Sequence, residues 1–276
     1  MKKQYFSFAT LSIILLLVLS FNNISCNKDT IDKDQLAAIN NSDAENTFTD
    51  IFKQIDIVAK DTSLGVTTGT IITNCATVTI SPVGLTYPKT ITIDFGTSDC
   101  EGTDERFRRG KIIATTTGKY RDSLTTTTLS FNNYYYNDYK VFGTNTITNK
   151  GHNNLGHSYY TINIENAGII TENGTVTWNS VRTREWIAGE NTLYDFSDDV
   201  YSITGNATGI TTDGNTFIAT ITKALNADLS WPWLTSGTIE ITPQGLTTRI
   251  IDFGDGTKDR FATVIINGET NTITLK

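Results

Sequence analysis

Acidic residues crowd two glycine-containing turns of this chain. Asp252, Asp255 and Asp259 surround Gly254 and Gly256, while Asp94, Asp99, Asp104 and Glu105 surround Gly96 and Gly102. Calcium takes about six to eight oxygen ligands, and such loops can supply them. Neither run keeps the alternating spacing of an EF-hand, and Asp and Gly are ordinary turn residues. Asp252, Asp255 and Asp259 are therefore only weak calcium candidates, and no metal is expected. Two carboxylates flanking a scissile bond would make a glycosidase, and Glu185, Glu190 and the pair Asp198-Asp199 can be nominated. Nothing in the sequence marks any of them as buried or shifted. The two histidines, His152 and His157, lie among Asn and Gly in what reads as a loop, and no triad with a serine or cysteine nucleophile is legible. No catalytic residue and no cofactor is assigned.

The aromatic residues are the stronger signal. Tyr134, Tyr135, Tyr136 and Tyr139 cluster in a polar stretch, and Trp178, Trp186, Trp231 and Trp233 fall in or near the long central region. Flat rings with Asn and Asp neighbours suit sugar or protein recognition. Tyr134, Tyr136, Trp178 and Trp186 are the expected ligand-binding aromatics, with inward-facing core as their other reading. Consecutive tyrosines in one strand point to opposite faces, so Tyr135 should oppose Tyr134 and Tyr136.

Three cysteines remain to be placed. Cys26 ends a leader: Lys2 and Lys3, an apolar run from Phe6 to Phe21, then Asn23-Ile24-Ser25-Cys26. A basic start and a short apolar core are the layout of a secretory signal, and small residues before a cysteine form a lipobox. Residues 1–25 are thus expected to be a lipoprotein signal peptide. Cys26 would be the lipidated N-terminus, carrying palmitate-type chains, each buried methylene contributing about 0.8 kcal/mol of membrane affinity. Residues 26–41 read as a polar tether. Lys28-Asp29, one residue beyond the cysteine, has the character of an acidic surface-export signal. Outer membrane, on the cell surface or the periplasmic face, is the expected location. The other two cysteines, Cys75 and Cys100, form an even remainder in an oxidising compartment, which predicts a disulfide.

Composition excludes one class of partner. Loss of residues 1–25 removes two lysines and no acid, so the net charge moves from −7 to −9. Nucleic-acid binding needs a basic footprint, and there is none.

The positioning elements follow from periodicity. Ser42 and Glu45 have capping-box spacing, and Phe48, Ile51, Phe52, Ile55 and Val58 form a helical stripe, predicting one helix over 42–60. Beyond about Gly69, period-2 alternation takes over, as in Thr77-Val78-Thr79-Ile80 and Tyr160-Thr161-Ile162-Asn163-Ile164. Glu172-Asn173-Gly174, Asp213-Gly214 and Asn267-Gly268 supply hairpin turns. Residues 42–276 are expected to be a single all-β domain of about a dozen or more antiparallel strands, with sandwich, barrel and open curved meander left open. An internal repeat sits at its two ends. Residues 76–86 align with 237–247, and Ile93-Asp94-Phe95-Gly96 with Ile251-Asp252-Phe253-Gly254. In this register Cys75 faces Ser236 and Cys100 faces Lys258. Both cysteines are missing together from the second copy, as a bonded pair would be.

The run 89–96, Cys100, Arg109-Gly110-Lys111, Gly174-Thr175-Val176-Thr177-Trp178, Trp186 and Asp252-Phe253-Gly254-Asp255-Gly256-Thr257 together resemble a group of Bacteroidetes outer-membrane or surface lipoproteins with no established activity. The likeness covers nearly the whole mature chain. Members often carry a cysteine where this chain has Lys258, so a second bridge is not implied. The resemblance implies lineage and location. The expected role is non-enzymatic, binding or structural, towards a glycan or protein. An envelope lipid carrier or assembly factor and a polysaccharide hydrolase are the alternatives.

Overall fold

Alternating apolar and polar residues make ladders with one dry face, and a dry face needs a cover. A computed structural model describes residues 32–63, 71–73, 76–192 and 195–276 of the chain. Cys26, the leader and Cys75 lie outside the described residues. Among the described residues one helix, α1 (Leu36–Ser63), precedes fifteen strands. These are β1 (Ile71–Thr73), β2 (Ala76–Ser81), β3 (Lys89–Asp94), β4 (Cys100–Glu101), β5 (Phe107–Thr116), β6 (Thr126–Tyr136), β7 (Tyr139–His152) and β8 (Ser158–Thr171). Next come β9 (Gly174–Ala188), β10 (Val200–Ile210), β11 (Thr216–Asp228), β12 (Ser236–Pro243), β13 (Arg249–Asp255), β14 (Phe261–Ile266) and β15 (Glu269–Thr274). All belong to one antiparallel sheet whose order follows the chain, with the short β4 paired to β5 off the main path. Of the three architectures left open, the chain adopts the open meander.

The two faces differ in kind. Outward, Thr126, Thr148, Thr161, Thr183 and Thr204 stand side by side across β6 to β10, a β-branched polar row suited to a solvated pleat. Inward, α1 lies in the concavity, and Phe48, Ile51, Phe52, Ile55 and Val58 are buried as the stripe predicts. Phe48 stacks on Trp178 with centroids 5.2 Å apart. The helix is also held by its polar residues. Asp50 accepts from Arg108 (2.5 Å), Glu45 from Arg182 (2.6 Å), Asp56 from Tyr201 (2.8 Å) and Asn41 from Trp178 (3.0 Å). These partners come from β5, β9 and β10, while Arg249 of β13 reaches Asp32, just before the helix, at 3.0 Å. Strands far apart in the sheet therefore converge on one helix, which requires the sheet to curl.

The helix begins earlier than its capping box suggests. Asp34 Oδ1 accepts the Leu36 N–H at 2.8 Å and serves as the true cap. Ser42 is interior to the helix and its hydroxyl finds no partner, and Glu45 turns to the buried Arg182. Residues 36–41, expected to lie in the tether, are already helical, and Asn40 and Asn41 are buried.

The sequence repeat is a structural repeat. Thr77 pairs with Asp94 and Val78 with Ile93, just as Thr238 pairs with Asp252 and Ile239 with Ile251. Asp94 Oδ1 accepts the Gly96 N–H at 2.9 Å, and Asp252 Oδ1 accepts that of Gly254 at 2.9 Å. The copies share no ladder among the described residues, yet Arg106, before β5, lies 4.4 Å from the ring centre of Trp233, before β12. That contact brings their flanking loops together.

Candidate functional site

Four aromatics expected to face a ligand are core. Tyr134, Tyr136, Trp178 and Trp186 are each at most 1 % exposed, which corrects the expectation of an open binding face. The cause is partly a bulge. Asn133 has φ 46°, and opposite it Gly110 leaves room that a Cβ would lose, 1.9 Å from the Asn133 carbonyl oxygen. The extra residue shifts the alternation of β6 so that Tyr134 and Tyr136 both point inward. Tyr135 opposes them as expected, its ring 3.9 Å from the Arg109 guanidinium.

The weak calcium candidates serve their own turns. Asp252 accepts from the Gly254 N–H, Asp255 from Thr257 (N–H 3.1 Å, hydroxyl 2.8 Å) and Asp259 from the Phe261 N–H (2.8 Å). Their oxygens point along the backbone instead of converging.

The histidine loop does more than its sequence suggests. His152 Nε2 lies 3.1 Å from Glu190 Oε1, and His157 Nδ1 lies 2.6 Å from Glu185 Oε1. Bonds from His157, then from Asn153, hold the Glu185 carboxyl below its usual range. Ser158 donates to Glu190 and also meets His152 Nε2 at 3.2 Å. Serine and glutamate thus share one ring nitrogen, whereas a relay needs the acid on the other. Asp199 is buried and accepts from the Trp186 indole (3.2 Å), and Asp198 accepts from Thr192 (2.7 Å). Each of the four nominated carboxylates is engaged by a neighbouring side chain.

What the structure assembles is a cleft of about 570 Å³ that sequence reasoning did not single out. Its centre is the β11–β12 loop, Trp231-Pro232-Trp233, facing Thr103-Asp104-Glu105, Phe196 and the Lys53 turn of α1. The two indoles are half-buried, tilted by 57° with centroids 5.7 Å apart. Trp231 donates its N–H to the Asp259 carbonyl (3.0 Å). Lys258 braces the same loop, donating to Ser230 (2.6 Å) and pairing with Asp228 (2.8 Å). Burial works against the Asp104 charge, but two bonds from Arg108, at 3.0 and 2.6 Å, overcome it, so its carboxyl sits below the usual range. Such an acid accepts hydrogen bonds and does not donate a proton. Burial pulls the Lys53 ammonium down. The only signal in the sequence was Trp-Pro-Trp between two strands.

An apolar channel for lipid would need an empty concavity. Here α1 fills it, leaving a cavity of about 30 Å³ beneath the helix. Among the described residues no helix is long and apolar enough to cross a membrane. Fold and cleft define a class: an all-β open meander curled on a single helix, with an aromatic cleft at one rim. No protein-family profile, no curated protein and no solved structure matches the chain.

Proposed function

We propose that the chain is a non-enzymatic binding lipoprotein of a Bacteroidetes outer membrane, anchored through lipid on Cys26, and that its Trp231/Trp233 cleft takes a glycan. The anchor and location rest on the leader and lipobox. A Cys75–Cys100 bridge belongs to the same reading. Its support is that Cys100 is buried and disulfide-bonded.

The carrying observation is the pair of half-buried indoles walled by hydroxyl and carboxylate groups. Sugars present an apolar C–H face and a rim of hydroxyls. Tilted rings cover the first, and Thr103, Ser197 and Asp104 meet the second within a cleft of ordinary ligand size. A holding role suits acids already engaged: Asp195 Oδ1 accepts from Ser197 N (2.8 Å) and its hydroxyl (2.5 Å).

The test is a titration of tryptophan fluorescence with a panel of neutral, acidic and N-acetylated oligosaccharides. A saturable change is expected, with affinity reduced about tenfold or more in Trp231→Ala, as for an aromatic anchor. No response across the panel, or equal affinity in the variant, overturns the glycan reading. Protease shaving of intact cells, with a periplasmic control protein, separates surface from periplasmic display.

A further inference from the structure

Beneath α1, the 30 Å³ cavity is lined by Arg182, Arg184 and Asn145 together with Glu45, Phe48 and Trp178, among others. Arg182 and Arg184 lie on β9 and Asn145 on β7. All three are buried, with Arg184 and Asn145 at 1 % exposure. The Arg184 guanidinium carbon lies 3.5 Å from the Phe52 ring centre and 3.7 Å from that of Tyr201, two rings set at 64° to each other. Its Nε, Nη1 and Nη2 have no acceptor. Arg182 Nη1 and both polar atoms of Asn145 are also without partners. Glu45 is already engaged, accepting from Arg182 through Oε1 (3.3 Å) and Oε2 (2.6 Å).

Donors outnumber acceptors around this space. The unpaired atoms of these three residues are Arg182 Nη1, Arg184 Nε, Nη1 and Nη2, and Asn145 Nδ2, against a single oxygen, Asn145 Oδ1. Water brings as many donors as acceptors. A halide only accepts, and it carries the charge that a buried guanidinium calls for. Arginine cannot escape by losing its proton, and an unpaired buried charge is costly. Asp56 acts on Arg184 through space and receives the Tyr201 hydroxyl on Oδ2, but none of the three Arg184 nitrogens has a hydrogen-bond partner. A volume of about 30 Å³ exceeds the minimum for one water, about 10–15 Å³, and suits one monatomic ion.

We propose that this cavity is a buried monovalent-anion site, occupied by chloride and held by Arg184, Arg182 and Asn145. The ion would complete the interface between α1 and the sheet, so its binding is linked to folding.

The full chain, in detergent, is unfolded thermally in chloride, bromide, gluconate and sulfate at matched ionic strength. Chloride and bromide are expected to raise Tm by about 3–6 °C at tenfold the half-saturating concentration. Gluconate, too large for the cavity, should give no saturable rise, and sulfate only the non-saturating rise of an anion excluded from the surface. Crystals grown in bromide should show an anomalous peak in contact with Arg184. Asn145→Asp places an anionic oxygen at the site and should abolish the halide response while keeping the fold. Equal Tm in chloride and gluconate, a cavity holding water without anomalous signal, or an unchanged halide response in Asn145→Asp each overturns the proposal.

Discussion

The two copies of the repeat share a hairpin register and an Asx turn, yet the segments that follow them have diverged. After the first copy the chain reaches Cys100, buried and disulfide-bonded, and Asp94 pairs with Lys111 on β5 at 2.7 Å. At the matching place the second copy has Lys258, half exposed, reaching Asp228 and Ser230 at the foot of the tryptophan loop. The first copy places a buried cysteine there. The other spends the equivalent position on bracing a loop that lines the cleft. Each copy is also tied to the helical segment by an inward arginine, Arg108 beside the first and Arg249 within the second. Repeated backbone geometry thus carries different side chains at its two ends, while the loop after the first copy and the loop before the second line one cleft.

Arg108→Ala should have the largest effect. It strands Asp50 and Asp104, and removing one partner of a buried pair costs about 3–5 kcal/mol. Urea unfolding should show the midpoint falling by a corresponding amount. A loss below about 1 kcal/mol would mean that α1 is held by its apolar stripe alone.

Cys100→Ser should lower stability by about 3 kcal/mol in the chain-entropy account. Reductant should shift the parent chain to the same midpoint and leave the variant unmoved. A reductant effect that persists in Cys100→Ser would place the covalent constraint elsewhere.

Asp43 tests the middle of the sheet, away from both copies. Burial raises its carboxyl to about 6 from 3.8, against opposition from Lys276 and from the Tyr139 hydroxyl. A raised folded-state pKa favours the protonated form on folding. The associated stability is fully present below about pH 4 and is lost as pH rises through about 6. Asp43→Asn should therefore stabilise by about 2–3 kcal/mol near pH 7 and be neutral below about pH 4. A gain that does not change with pH would assign the effect to packing.

Lys258→Ala should cost least in stability, below about 1 kcal/mol, because its pair with Asp228 is partly solvated. Its consequence should appear in binding: a several-fold loss of glycan affinity with Tm nearly unchanged. Equal affinity in parent and variant would separate the brace from the site and dissolve the contrast between the copies.

Local chemistry determined much of this protein. Period-2 alternation, the Phe48–Val58 stripe, the Asn267-Gly268 turn with both φ positive and the aligned repeat each depend on neighbours a few residues apart. Strand content, the helix and the matched hairpins were legible for that reason. Whether the strands would close, stack or curl depended on long-range contacts, such as Arg108 to Asp50 and Arg249 to Asp32, that no local pattern encodes. Burial of Trp178 followed from the helix occupying the concavity. The cleft joins Trp231 and Trp233 to Asp104, more than a hundred residues earlier in the chain. Only the curl of the sheet brings those loops to one rim, because side chains far apart in sequence meet when a continuous ladder bends around what fills it.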